Sequence, residues 1–103
     1  MPRIEQVQRM LAAEPNDVFL NFSLAMALVR EERFDEALAQ FGRVLELEPG
    51  YVPAYMQKAN ALVKTQRTAD AAETLRQGIV TAKAAGDHHA ADEMQQMLDL
   101  LAR

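Results

Sequence analysis

The chain has 103 residues, half of them apolar and a quarter charged, with a formal charge of −4. That is enough for one packed core, and the composition excludes disorder. The absence of cysteine excludes disulfides and thiolate metal sites, and the acidic balance argues against a phosphate-binding surface.

Ala, Leu, Glu, Gln, Arg and Met dominate, and glycine and proline number four each, so the chain is expected to be nearly all helix. A first helix is predicted from about Arg3 to Ala13, with Ile4, Val7 and Leu11 on one face and a stop at Glu14-Pro15. The second begins at an Asn16-Asp17 cap and runs to about Arg30. The third spans Phe34 to Leu47, where Pro49-Gly50 ends it. The fourth covers Val52 to Lys64 and tolerates Pro53 in its first turn. The fifth starts near Thr68 and continues to Ala85, with Gly86 as a C-terminal cap. The sixth opens at Asp87 and carries Met94, Met97, Leu98 and Leu101 on one stripe. Short linkers make successive helices antiparallel.

A shift of 34 residues superposes Ala25 on Ala59, Ala27 on Ala61, Leu28 on Leu62, Val29 on Val63 and Ala37 on Ala71. Arg30/Lys64, Phe41/Leu75 and Leu45/Ile79 are conservative matches. The chain therefore resembles a tetratricopeptide repeat protein, whose 34-residue pattern is W-x2-L-G-x2-Y, then A-x3-F, then P. Asn21, Leu24, Ala25, Leu28, Ala37, Phe41 and Pro49 stand at those places in the first repeat. Tyr55, Ala59, Leu62, Ala71 and Leu75 stand there in the second, with Lys58 in place of the leucine and Lys83 in place of the proline. Glu32 and Gln66 occupy positions where the family often has a turn glycine.

The resemblance covers roughly residues 2 to 85. It implies an all-α fold of helical hairpins in a short right-handed superhelix. The expected organisation is a single domain over 1–103: an N-terminal half-repeat helix (3–13), repeats at 17–50 and 51–84, and a capping helix (87–102). The polar outer face of the last helix, with Asp92, Gln95, Gln96 and Asp99, suits a cap. The first helix lacks its first-half partner, so Val7 and Met10 either fold back onto the second helix or meet another molecule.

The residue inventory does not suit catalysis. Ser23 is the only serine, the carboxylates fall mostly on helix surfaces, and the four glycines are isolated, so no phosphate-cradling loop is present. His88 and His89 are adjacent, roughly 100° apart on a helix, and do not chelate one ion together. Each has an acid four residues on, but a zinc site wants three or four ligands, and the two are read as residues that start the last helix.

No cofactor, metal, nucleic acid or membrane span is expected, and the N-terminus has no signal-peptide core, so a cytoplasmic location is expected. In the family, the face of each repeat's first helix opposite the core lines a concave groove for a peptide or a partner helix. Here that face carries Phe19, Phe22, Met26, Val29 and Arg30 in one repeat, and Met56, Asn60, Val63 and Lys64 in the next. The leading expectation is a non-catalytic protein-interaction module with an apolar groove floor, left open or covered by a terminal helix. The second is a self-associating unit, a homodimer through Ile4, Val7 and Met10.

Overall fold

The computed structural model describes residues 4–103, which form six helices: α1 (Ile4–Ala13), α2 (Val18–Arg30), α3 (Phe34–Leu47), α4 (Val52–Lys64), α5 (Thr68–Ala84) and α6 (His88–Leu101). No strand occurs among the described residues. The expected bounds hold to within a residue; Arg3, expected as the first helical residue, lies outside the described residues.

The stop and start signals act as their chemistry dictates. Asp17 Oδ1 accepts from the Leu20 amide at 2.8 Å, and Asp87 Oδ1 accepts from the Ala90 amide at 3.1 Å, each satisfying one orphan donor of a first turn. α2, α4 and α5 end on the same reversal. Behind α2, Glu32 N–H donates to Val29 C=O and Arg33 N–H to Leu28 C=O, both at 2.9 Å; Gln66/Arg67 and Gly86/Asp87 repeat the pattern. This Schellman closure needs one residue in the left-handed region. It is filled by Glu32 (φ 59°), Gln66 (φ 62°) and Gly86 (φ 76°).

An L-residue there costs about 1–2 kcal/mol, and glycine's extra freedom in the unfolded chain offsets about half of that. Glu32→Gly and Gln66→Gly should therefore each stabilise the protein by about 0.5–1 kcal/mol. Raised melting midpoints by circular dichroism would bear this out, and lowered ones would contradict it.

The fold divides into two compact units between Pro49 and Gly50. In the first, α2 and α3 form a hairpin and α1 packs on α2. Ala25 and Ala37 are fully buried, and small side chains are what let two axes approach. Phe41, also fully buried, and Leu28 fill the space beside them. In the second unit α5 packs against both α4 and α6. Ala54, Ala59, Ala71, Ala82, Leu75 and Met94 are fully buried there in the same way. α5 runs three residues longer than α3 (17 against 14) because Lys83 stands where Pro49 stands in the first repeat.

At the head of α3, Arg33 donates from Nε and Nη2 to the two carboxylate oxygens of Glu36 at 2.9 and 2.7 Å. Those hydrogen bonds, with the attraction of the charges, hold the Glu36 carboxyl below its ordinary pKa and the Arg33 guanidinium above its own. For a depressed carboxyl, the contribution is present above the unfolded-state value and is lost as pH falls through the lowered one. Both side chains are exposed, so the contribution is small.

Candidate functional site

The solvent-side residues of the two repeat-opening helices are partly exposed in each unit. On α2, Phe19 is 67% exposed, Met26 and Val29 are half-buried, and Arg30 is exposed. Phe22 is half-buried, its ring centroid 6.0 Å from that of Phe41 at a tilt of 58°. Phe22 thus belongs partly to the hairpin core, which the spacing on α2 alone did not reveal. On α4, Met56 and Asn60 are half-buried, Val63 is 39% exposed, and Lys64 is exposed. Both helices therefore carry half-buried side chains along the middle, apolar on α2 and mostly polar on α4, and an exposed cation in the last turn.

The sequence reading missed a contribution from α6. Asn60 and Val63 line a cavity of about 200 Å3 together with Met97, Leu100 and Leu101. Leu100 is 61% exposed and lies beside, rather than on, the apolar stripe of α6. The stripe position points inward, and a neighbour one residue along is easily read as surface.

The self-association trio divides by burial. Ile4 and Val7 are buried, and only Met10 remains substantially exposed. α1 lies against α2.

His89 Nε2 lies 2.8 Å from Glu93 Oε1, one turn along α6. Among the described residues no group of three or more His, Cys, Asp or Glu stands close enough together to hold a metal ion. Among the described residues no helix is long and apolar enough to cross a membrane.

Several solved structures share this arrangement. The TPR2B domain of yeast Sti1, in its complex with pHsp70, superposes with a TM-score of 0.89 at 26% identity, over 96% of this chain and 79% of that one. Protein BPP2914 from Bordetella parapertussis gives 0.86 at 29% identity, over 97% and 87%. A tetratricopeptide repeat domain protein from Salinibacter ruber gives 0.80 at 30% identity, over 84% and 88%. No curated protein sequence matches the chain. The sequence profile of the tetratricopeptide repeat family matches residues 28–98, more than half of the length. With two helical hairpins in a 34-residue register, the same closures behind α2 and α4, and this match, the chain belongs to the tetratricopeptide repeat family.

Proposed function

We propose that this protein is a non-catalytic interaction module that takes a peptide or helix of a partner protein on the solvent-side face of a repeat-opening helix, α2 in the first unit or α4 in the second. The observation that carries the reading is the pair of partly exposed apolar side chains that recurs one repeat apart, Phe22 and Val29 on α2 and Met56 and Val63 on α4, each helix ending in an exposed cation, Arg30 or Lys64. A buried core has no use for side chains left in water at equivalent places of two repeats, whereas an apolar patch rimmed by charge suits protein contact. The likeness to a Sti1 domain held in a pHsp70 complex supports a protein ligand. Methionine fits this work because its unbranched chain re-packs around different partners.

Met26 is the residue to test. It is half-buried in the middle of α2, and glutamate is a good helix former. Met26→Glu should leave the far-UV circular dichroism spectrum unchanged while placing a carboxylate in the apolar contact. Partners captured from source-cell lysate by the wild type should be lost, with affinity at least about thirtyfold weaker, the scale of a central hot spot. Undiminished capture by the variant would refute the reading.

A further inference from the structure

The outer face of α5 is complementary to itself. Ala69, Ala72, Glu73, Arg76 and Val80 recur at helical spacing along one side of the helix, and none of them is buried. We propose that α5 pairs antiparallel with α5 of a second copy of this chain, about a two-fold axis at the level of Thr74 and Leu75. This face belongs to a repeat-closing helix and shares no residue with the faces of α2 and α4. It therefore stands apart from the interaction reading above.

A two-fold contact is isologous, so each residue of one copy has a fixed opposite in the other. In this pairing Val80 lies opposite the partner's Ala69, and Arg76 opposite the partner's Glu73. Val80 is 69% exposed, more than any other large apolar side chain among the described residues. Where it would seat, the surface is low. Ala69 and Ala72 edge a depression of about 320 Å3 that continues to Leu98 and Leu101 of α6. Alanine at both places lets the two helix axes come to the near end of the roughly 8–10 Å range of helix packing. Each exposed valine then gains an apolar seat on the other copy.

Charge fixes the register. In its own chain Glu73 has Arg76 Nη1 and Gln77 Nε2 near it, each at 3.5 Å, the long end of the hydrogen-bond range. Arg76 and Glu73 are 60% and 61% exposed, and so loose a surface pair contributes little within one chain. At the centre of the antiparallel dimer the four charges alternate in sign, so each arginine meets two carboxylates. Shifted by one turn in either direction, Arg76 would face Arg76 or Glu73 would face Glu73. A parallel pairing does the same. Like charges thus disfavour the neighbouring registers. A face one helix wide lies at the small end of specific interfaces, below about 1,200 Å2 in total, so the dimer is weak, with a Kd on the order of 100 µM.

The test is sedimentation velocity of the full chain over about 10 µM to 1 mM, which brackets that affinity. The expected result is a mass that climbs from 11.5 kDa toward twice that value. Val80→Glu, at an exposed helix position, should keep the far-UV circular dichroism spectrum and weaken the dimer by about tenfold or more. Glu73→Arg and Arg76→Glu should each be monomeric alone. Their equimolar mixture should dimerise, because one copy then sets two cations opposite two carboxylates of the other. Met26→Glu, which tests the interaction reading, should dimerise like the wild type. A monomer at every concentration would overturn the proposal and leave the face to a different protein. Dimerisation indifferent to Val80→Glu would overturn it by placing the contact elsewhere on the chain. A mixture of the two charge variants that stays monomeric would overturn it by excluding the antiparallel register.

Discussion

Gly78→Ala should destabilise the protein by about 2 kcal/mol, although the same change at Gly42 should stabilise it by about 0.5–1 kcal/mol. Both glycines lie inside helices, α5 and α3, where alanine is the better helix former by about 1 kcal/mol. Around Gly42 no atom lies within 4 Å of where a Cβ would be, so the propensity gain stands alone. At Gly78 a Cβ would fall 2.6 Å from Met94 Sδ and 2.7 Å from Tyr55 Cβ. The methionine end can turn aside at some cost, since Met94 is fully buried. Tyr55 Cβ cannot, because it moves only with the backbone of α4. Alanine at Gly78 therefore pushes α4 away from α5 and disturbs α6 through Met94. Denaturant midpoints of the two variants, measured side by side, should move in opposite directions. A Gly78→Ala variant as stable as Gly42→Ala would mean that the three helices do not meet as described.

Gly78 also shows where the sequence stops being readable. The helix bounds follow from local chemistry, an Asp cap at residues 17 and 87, a Pro-Gly stop at 49–50, and the 34-residue register, so they are legible one stretch at a time. A glycine in mid-helix reads only as a cost, and its reason sits 16 residues on, in Met94, and 23 residues back, in Tyr55. Ile4 and Val7 give the converse case. Their spacing shows an apolar stripe, but a ten-residue helix cannot say whether that stripe meets its own chain, and here both residues are buried. The face of α4 was legible from its register with α2. Its continuation onto Leu100 was not, because it depends on how α6 is seated. Glu32 and Gln66 fall between these cases: the 34-residue pattern marks a position where the family often has glycine, and the positive φ there shows that the backbone adopts the same geometry without one.

Asn21→Ala should cost about 2 kcal/mol, a fall of roughly 8–16 °C in melting midpoint for a domain of this size. Asn21 stands at the large-aromatic position of the repeat yet is buried, and its amide is used on both sides. Nδ2 donates to Pro15 C=O at 3.1 Å and to Asp17 C=O at 2.8 Å, while Oδ1 accepts from Gln40 Nε2 of α3. One side chain thus ties the α1–α2 turn to α2 and α2 to α3; its removal takes the Asn21 partner from Pro15 C=O and Gln40 Nε2, while Asp17 C=O keeps the Asn21 backbone amide. Asn21→Asp separates this network from simple packing, because it keeps the shape and the acceptor while both donors are lost. An ionised carboxylate facing two carbonyl oxygens is disfavoured, so the introduced acid should have a raised folded-state pKa. Its destabilisation should then be mild in acid and grow as pH rises through that value. The second repeat indicates what else the site accepts. There Tyr55 replaces Asn21 and Thr74 replaces Gln40, a large ring beside a short hydroxyl in place of two amides of similar length. In a double-mutant cycle, Asn21→Tyr with Gln40→Thr should therefore be less damaging than the sum of the single changes. Strict additivity would show that the two positions do not act as a pair, and that the Asn21 amide matters for the turn alone.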